Sequence, residues 1–286
     1  MVSRREFGKL ALASAPLLSL SAGPKINSRV NGIMFGAQSY SFRDMSLEDA
    51  VNAYKETGLG YSELWQGHLE PKGIDEAGRA KWMASKEALD RCAYAKKLFA
   101  DAGINIYALN CSFRKTWPDE QIEAGMKLTQ AIGTKLITAS SQVSAAPRIQ
   151  PIAKKYGIIV AMHNHDNLKD PDEYAKPESF EKAMEAGPNI AINLDIGHFT
   201  AANYDPVEYL KKQARHIKTL HIKDRKKDHG PNVPLGTGDT PIKEVLLVVK
   251  ERKLAIPAMI EYEYKGENTV AEVKKCFEYC KQVSAS

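Results

Sequence analysis

The sequence has few cysteines, no long apolar run and little excess charge. Its four cysteines include no CxxC pair, and their spacing fits no zinc site. Cys276 and Cys280 are four residues apart on a predicted helix, which is a poor geometry for a disulfide. No stretch of about 18 apolar residues occurs, so the sequence predicts no membrane-spanning helix. The net charge of +5 forms no broad basic stripe, so nucleic-acid binding is not indicated.

Two further absences narrow the range of functions. No Gly-rich loop followed by the start of a helix is evident, so a phosphate-binding loop is poorly supported. No cysteine precedes Cys92, so we expect no lipoprotein anchor. Because no long apolar run occurs either, we expect no other membrane anchor in the mature chain. The composition is otherwise ordinary for a globular protein, and a sizeable core is available.

The first 22 residues have the composition of an export signal. Residues 3–9 read SRREFGK, and a mildly apolar stretch over residues 10–20 and small residues near Ala22 follow. A basic start, an apolar segment and small residues in this order predict a secretory signal. The paired arginines with Phe7 and Lys9 resemble a twin-arginine signal. We therefore predict a twin-arginine-type signal peptide over residues 1–22 and a periplasmic or extracellular location, with a basic disordered tail as the alternative.

After residue 30, apolar runs alternate with amphipathic segments in eight repeats. Eight strand–helix units in about 250 residues are typical of a single (β/α)8 TIM barrel, which we predict for residues 31–286. A doubly wound sheet is the alternative, although it seldom contains eight regular units. One long helix is predicted over residues 83–102. The long loops are predicted over residues 66–81, 166–177 and 225–240; all three follow strands, so we expect them on the catalytic face.

Polar side chains lie where the fifth to eighth predicted strands end. Side chains alternate across a strand, so residues two apart share a face. If those faces point into the barrel mouth, the four strands bring together His163 or His165, Asp195, His221 and Glu261. Two imidazoles and two carboxylates suit one divalent metal ion such as Mn²⁺, Zn²⁺, Co²⁺ or Mg²⁺. Each residue alone is as well explained by structural hydrogen bonding, so the predicted metal site depends on the four together.

Four short segments resemble those of a known family. Residues 194–198 (LDIGH), 220–224 (LHIKD), 234–239 (PLGTGD) and 260–263 (IEYE) are similar to the xylose isomerase-like sugar phosphate isomerase/epimerase family, and the resemblance covers residues 31–283. It implies a TIM barrel with one divalent metal held by Glu, Asp, His and Glu from strands five to eight. Asp195, His221 and Glu261 match the last three of these ligands, and His198 matches a histidine that contacts the substrate or supports the site.

The first ligand departs from the family pattern. Where the wider family has a glutamate, residues 162–166 read MHNHD, an HNHD form that resembles a subgroup of the family. The resemblance puts His163 in the ligand position with His165 beside it, and which of the two binds the metal is left open. Sugar epimerases use two carboxylates as paired acid and base, so a histidine would have to replace one of them here.

The resemblance and the residues together predict a divalent-metal-dependent sugar isomerase or epimerase that removes a proton beside a carbonyl group. The alternative is a lyase or hydratase that acts on 3-keto-glycosides by elimination through the same enolate, because elimination needs only one base. The predicted partner is a small carbohydrate, and a homo-oligomer is possible. The predicted base is Glu261, His163 or His165, and the predicted substrate contacts are His198, Lys223, Glu63 and Trp65.

Three other functions are compatible with the same residues. A carbohydrate-binding barrel without catalysis need not hold a metal. An endonuclease for abasic DNA would need further histidine ligands, for which only His68, His216 and His229 are available. A Schiff-base aldolase would use Lys223 as its nucleophile and would not depend on metal.

Overall fold

The computed structural model describes residues 24–285, so the signal peptide predicted over residues 1–22 lies outside the described residues. Eight parallel strands, numbered β1 to β8, form the centre of the fold. They are β1 (Ile33–Gln38), β2 (Tyr61–Trp65), β3 (Asn105–Asn110), β4 (Leu136–Ala139), β5 (Ile159–His163), β6 (Ile190–Asp195), β7 (Ile217–Ile222) and β8 (Ala258–Ile260).

The eight strands close into a barrel. Each strand pairs in parallel with the next one in the chain, and β8 pairs with β1. The prediction of a single (β/α)8 TIM barrel is therefore confirmed. Because all eight strands run in the same direction, their carboxyl ends lie together at one end of the barrel, which we call the mouth.

Ten α-helices occur in the described part of the chain. No helix among residues 24–285 combines the length and the apolar character needed to cross a membrane. The helices are α1 (Leu47–Thr57), α2 (Glu76–Met83), α3 (Lys86–Asp101), α4 (Asp119–Ile132), α5 (Ala146–Tyr156), α6 (Pro177–Met184), α7 (Ile196–Ala201), α8 (Pro206–Gln213), α9 (Ile242–Glu251) and α10 (Thr269–Ser284).

The helix predicted over residues 83–102 is confirmed as α3, with a later start than predicted. The preceding helix α2 ends at Met83, and α3 begins at Lys86 and ends at Asp101. Ser85 separates them as an N-cap, and its side chain accepts a hydrogen bond from the Ala88 N–H at 3.2 Å. Serine is a favoured N-cap residue, so a local sequence signal for this break was present. The helix α2 also occupies part of the loop predicted over residues 66–81.

The interior of the barrel changes from apolar to polar toward the mouth. One layer below the mouth, two residues before a polar side chain on each strand, a small buried apolar cluster is formed by Ala108, Leu136, Ala161 and Ala191. Nearer the mouth, the buried side chains are polar and include Gln38, Glu63, Thr138, Asn193 and His221. Buried polar groups are costly unless they are hydrogen-bonded, so this layer indicates a site that requires them.

Candidate metal centre and active site

The structure brings the four predicted metal ligands together at the mouth. Each of His163, Asp195, His221 and Glu261 offers one ligand atom, and these atoms lie within 4.8 Å of one another. The register explains this, because Asp195 on β6 lies beside His221 on β7, and Glu261 follows the end of β8. All four side chains are buried. We call them the metal cluster.

Two atoms of the metal cluster lack hydrogen-bond partners among the described residues. The Asp195 Oδ1 atom accepts a hydrogen bond from the His198 N–H at 2.7 Å and so caps α7, whereas its buried Oδ2 atom makes no hydrogen bond. The Nδ1 atom of His163 is also buried without a partner. Burial lowers the pKa of His163 well below its usual value, with a further contribution from the neighbouring His221. The His163 Nδ1 atom has no partner, and the Asp195 Oδ2 atom makes no hydrogen bond and lies 3.3 Å from Lys223 Nζ. A neutral imidazole nitrogen and a carboxylate oxygen in this state fit the needs of a divalent cation.

His221 is held between two carboxylates. Its Nε2 atom lies 2.9 and 3.0 Å from the two carboxylate oxygens of Glu63, and its Nδ1 atom lies 3.1 Å from Glu261 Oε2. Burial opposes the charged ring, but Glu63 and Glu261 outweigh it and raise the pKa of His221 well above its usual value. A cation at Nδ1 would replace the proton there, while the bond from Nε2–H to Glu63 would keep the ring oriented.

Glu63 is buried too deeply in the barrel to make the predicted contact with a substrate. Its side chain is fully buried and does not line the cavity. Besides His221, it accepts hydrogen bonds from Gln38 Nε2 at 3.1 Å and from Thr138 Oγ1 at 2.7 Å. This placement argues against direct contact with a sugar and makes Glu63 the residue that positions His221.

The ammonium group of Lys223 is surrounded by carboxylates. Its Nζ atom lies 2.6 Å from Glu263, 2.8 Å from Glu261 and 3.3 Å from Asp195 Oδ2. Burial alone would lower the pKa of Lys223, but these three carboxylates raise it above its usual value. A permanently charged ammonium is a poor nucleophile, which argues against the Schiff-base aldolase.

The glycine of the LDIGH segment allows α7 to pack against the end of β7. A Cβ atom on Gly197 would lie 2.9 Å from the carbonyl oxygen of Lys223 and 3.0 Å from its Cβ. Real Cβ atoms seldom approach that closely, so a larger residue would displace either α7 or Lys223. The close approach brings His198, on the same helix, to within 3.1 Å of Lys223 Nζ.

The two histidines of the HNHD segment occupy different environments. His163 is 5% exposed and belongs to the metal cluster, whereas the side chain of His165 is 39% exposed and lines the cavity. The Nδ1 atom of His165 lies 3.2 Å from Glu173 Oε1. Burial opposes protonation of His165, but the hydrogen bond and charge of Glu173 raise its pKa above the usual value. The structure therefore favours His163 as the metal ligand and places the His165 ring at the wall of the cavity.

Asn164, between these histidines, joins β5 to β6. Its Nδ2 atom donates to the Asp195 carbonyl oxygen at 3.0 Å, and its Oδ1 atom accepts from the Asp195 N–H at 2.9 Å. Both bonds are buried, so they fix the backbone of one metal-cluster residue relative to another strand. Strand alternation predicts that Asn164 points away from its two neighbours, but no sequence pattern indicates its contact with Asp195.

An ion-pair network that was not predicted from the sequence lies at the rim of the mouth. Asp166 Oδ1 lies 2.8 Å from Arg225 Nη1, and Asp166 Oδ2 lies 3.0 Å from His229 Nδ1. Hydrogen bonds from His198, Arg225 and His229 hold the pKa of Asp166 well below its usual range. The network joins the loops that follow β5 and β7. The only sequence signal for this network was Asp166, the last residue of the HNHD segment.

Asp224 organises the loop that contains the PLGTGD segment. Its carboxylate accepts backbone hydrogen bonds from Gly236 at 2.8 Å, Gly238 at 2.9 Å and Thr240 at 3.2 Å. The same loop forms a short hairpin in which Asp224–Arg225 pairs with Asn232–Val233. This part of the family resemblance therefore has a structural explanation in the shape of the loop.

A central cavity of about 310 Å³ opens above the metal cluster. Among the predicted substrate contacts, His198, Lys223 and Trp65 line it and Glu63 does not. Its other lining residues are Gln38, Tyr40, Asn110, Ser112, Ser140, His163, His165, His221, Glu261 and Glu263. Most of these side chains can donate or accept hydrogen bonds, as a small polyhydroxylated substrate requires.

The further histidines that a multi-metal endonuclease would need are not gathered at the metal cluster. His68 lies 3.0 Å from the carbonyl oxygen of Ser39, and His229 is paired with Asp166. His216 directly precedes β7, at the end of the barrel opposite the mouth. Within the described residues, a second group of side chains that could hold a metal ion consists of His163, His165 and His198. It shares His163 with the metal cluster.

Comparisons with known proteins agree with this architecture. L-ribulose-5-phosphate 3-epimerase UlaE of Salmonella paratyphi C is 32% identical over 100 residues, which are 35% of this chain and 35% of UlaE. The chain thus spans about a third of the length of the curated relatives it matches. The probable 3-DHS dehydratase AsbF of Bacillus anthracis has a similar fold, with a TM-score of 0.65, 18% identity and coverage of 86% of this chain and 98% of AsbF.

A zinc-containing structure is similar as well. The IOLI protein with a bound zinc atom matches with a TM-score of 0.65 and 17% identity, covering 87% of this chain and 97% of IOLI. At this identity the similarity of the two solved structures concerns the fold alone. The family model for the xylose isomerase-like TIM barrel matches residues 32–283, nearly the whole described chain. The chain therefore belongs to the xylose isomerase-like TIM barrel family.

Proposed function

We propose that this protein is a divalent-metal-dependent sugar isomerase or epimerase that removes a proton from the carbon beside a carbonyl group. The observation that carries the proposal is the metal cluster, whose four ligand atoms lie within 4.8 Å of one another beneath a polar cavity. Its members His163, Asp195, His221 and Glu261 would hold the cation. When bound, such a cation supplies Lewis acidity that polarises a carbonyl oxygen and stabilises the negative charge that develops there.

His165 is better placed than Glu261 to remove the proton. Its ring lines the cavity, and because Glu173 occupies its Nδ1 atom, its Nε2 atom is left for the substrate. Burial favours a protonated Glu261, but Lys223 and His221 outweigh it and hold the pKa of Glu261 well below its usual value. The Glu261 Oε2 atom is also already engaged, since it lies 2.8 Å from Lys223 Nζ and 3.1 Å from His221 Nδ1. We therefore assign Glu261 to the metal cluster and His165 to proton transfer.

The remaining cavity residues would orient the sugar. Lys223 is a fixed positive charge that can hold a sugar oxygen and stabilise negative charge on it. His198 lies beside it, and burial, reinforced by the charge of Lys223, lowers the pKa of His198 below its usual value. Trp65 forms one wall of the cavity and can pack against the apolar face of a sugar ring.

Elimination from a 3-keto-glycoside is the second candidate. The carboxylates that line the cavity, Glu261 and Glu263, both follow β8 and both contact Lys223. His165 is thus a single well-placed base, and elimination needs one base, whereas epimerisation needs an acid and a base on opposite faces of a carbon. In this reaction His165 would take the proton from one carbon while the aglycone leaves the next carbon.

Solvent-exchange experiments in D₂O test both candidates. The protein is loaded separately with Mn²⁺, Zn²⁺, Co²⁺ or Mg²⁺, incubated with free sugars and 3-keto-glycosides, and followed by NMR with and without EDTA. We expect deuterium in a recovered isomer for isomerisation or epimerisation, and a released aglycone for elimination. His165→Gln should lower either rate by about 100-fold or more, and His216→Gln should not change it. Undiminished exchange in EDTA would rule out metal dependence, and binding without exchange or release would indicate a carbohydrate-binding barrel.

Export remains a proposal that rests on residues 1–22. We expect a full-length, tagged protein to occur in the periplasm or medium of a bacterial host with a twin-arginine pathway. Replacing Arg4 and Arg5 with lysine should retain it in the cytoplasm, as measured by cell fractionation and immunoblotting. An unchanged distribution of the double variant would contradict a twin-arginine signal.

A further inference from the structure

The wall of the central cavity has two chemically different halves. On the side of β5 to β8, every described lining side chain carries an imidazole, an ammonium or a carboxylate group. On the side of β1 to β4, the described lining side chains are all uncharged, and they belong to Gln38, Tyr40, Trp65, Asn110, Ser112 and Ser140. The groups proposed to bind metal and transfer protons belong to the first half, so the uncharged half is the part of the wall that can select the other groups of a substrate.

Asn110, the last residue of β3, is joined to His221 by a chain of hydrogen bonds across the barrel interior. Its Nδ2 atom donates to Thr138 Oγ1 at 3.1 Å, and Thr138 is its register partner on β4. Thr138 Oγ1 donates to Glu63 Oε1 at 2.7 Å, and the same carboxylate oxygen lies 2.9 Å from His221 Nε2. Thr138, Glu63 and His221 are at most 1% exposed, so bulk water does not compete for these bonds.

The direction of the bonds in this chain is determined by Glu63. A carboxylate has acceptor atoms and no hydrogen to donate, so the hydroxyl hydrogen of Thr138 must point to Glu63. The hydroxyl oxygen of Thr138 can then only accept from Asn110, which must present its NH₂ group. The backbone carbonyl oxygen of Thr138, 3.4 Å from the same Nδ2 atom, requires the same orientation of the amide.

This orientation leaves the Oδ1 atom of Asn110 for a ligand of the cavity. The atom accepts no hydrogen bond from any residue of the described range 24–285, and Asn110 lines the cavity. The amide of Gln38 is already committed, since its Nε2 atom donates to Glu63 and its Oε1 atom accepts from the Tyr40 N–H. The serine and tyrosine hydroxyl groups of the same half can donate as well as accept. Asn110 Oδ1 is therefore the fixed side-chain acceptor of the uncharged half, and it requires a donor on the ligand.

We propose that Asn110 is a specificity-determining residue whose Oδ1 atom accepts a hydrogen bond from a hydroxyl group of the substrate, and that Thr138 is the residue that positions it. The proposal rests on the function proposed above, because this hydroxyl group belongs to the sugar that would bind over the metal cluster. A carbonyl group at the same position of a sugar would place one acceptor against another, and a deoxy carbon would leave Asn110 without a donor. Because Glu63 also orients His221, loss of the Thr138 hydroxyl would affect the binding of both sugar and metal.

Calorimetric binding to the full-length, Mn²⁺-loaded protein tests the role of Asn110 with D-glucose, D-xylose and D-fructose, each compared with its monodeoxy analogues. We expect one parent sugar to bind about tenfold more tightly than one of its analogues, as a single hydrogen bond allows. Asn110→Leu should abolish this difference by weakening the parent sugar and not the analogue, as in a double-mutant cycle.

Thr138→Val tests the positioning role with little change in side-chain volume. Without the hydroxyl group, the Asn110 amide is free to turn and Glu63 loses one donor. We therefore expect a smaller difference between parent sugar and analogue, and an affinity for Mn²⁺ that is about three- to tenfold weaker in competition with a metal-sensitive chelator. Thr138→Ser keeps the hydroxyl group and should restore both. Thr219→Val is the matched control and should change neither, because Thr219 is also a fully buried strand residue but its Oγ1 atom has no hydrogen-bond partner among the described residues.

The variants and probes separate the possible outcomes. The proposal is overturned if Asn110→Leu keeps the difference between parent and analogue or weakens both equally, if Thr138→Val behaves like Thr219→Val, or if none of the three parent sugars binds. If thermal unfolding shows that Asn110→Leu is not folded, the comparison of Thr138→Val with Thr138→Ser decides. Discrimination that depends on Asn110 without exchange of solvent deuterium would refute the proposed reaction and keep this contact, and exchange without such discrimination would do the reverse.

Discussion

The His221→Ala variant is expected to lose its divalent metal during dialysis and to lose about a thousandfold or more in catalytic rate, because Lewis-acid stabilisation contributes several kcal/mol. His221 supplies one of four clustered ligand atoms and lies between Glu63 and Glu261 with 1% of its surface exposed. Its removal leaves two buried carboxylates without their shared partner. Metal content by mass spectrometry and rate by deuterium exchange measure the two losses.

A matched histidine serves as the control for this variant. His216 precedes β7, the strand that carries His221, and lies at the opposite end of the barrel. His216→Ala should keep both metal and rate. If alanine at position 221 prevents folding, His221→Asn retains a polar side chain, and cooperative thermal unfolding shows whether the variant is native. A folded variant with full metal content and full rate would show that the metal cluster is assigned wrongly.

The Glu63→Gln variant is expected to bind metal about 10- to 100-fold more weakly, although Glu63 is not itself a proposed ligand. Glu63 accepts the Nε2–H of His221 with both carboxylate oxygens and so orients the ring. An amide offers one acceptor oxygen and no negative charge, so it holds the ring less firmly and makes Nδ1 a weaker donor. Competition with a metal-sensitive chelator measures the affinity.

This variant also separates the two roles considered for Glu63. Direct contact with the sugar, as predicted from the sequence, would raise KM and leave the metal affinity unchanged. Glu272→Gln provides a comparison, because Glu272 is also buried and accepts a hydrogen bond from Tyr264 at 2.7 Å, but it lies on α10, away from the metal cluster. We expect that variant to lose stability and to retain its affinity for metal.

Much of the fold follows from local patterns in the sequence. The sequence predicts strands over residues 61–65 and 190–195 and a helix over residues 119–132, and these ranges are the observed bounds of β2, β6 and α4. Each is a regular run bounded by clear turn or capping residues. The later start of α3 has a local cause as well. The apolar pattern continues across residues 83–102, and periodicity alone does not place the helix start that the Ser85 cap produces.

The metal cluster could also be predicted, since strand alternation and the common direction of barrel strands bring the ends of β5 to β8 together. How deeply each side chain lies in the barrel could not be predicted from the sequence. Glu63 and His221 are 158 residues apart in the chain, and only the closure of the barrel places one beneath the other. The contact of Asp166 with Arg225 depends on the paths of two long loops, which no strand pattern determines.

The close approach of Gly197 to Lys223 has a consequence for the use of short motifs in assigning function. This glycine is required by the packing of α7 against β7, and Asp224 is required by the shape of the loop that follows. Both positions would be under the same constraint in a barrel that had lost its catalytic side chains. A search that relies on the glycine of LDxGH and the aspartate of HxKD would therefore find barrels with this packing whether or not they keep the metal cluster. The proposed site residues that lie outside both motifs, and so could distinguish such barrels, are His163, His165 and Glu261.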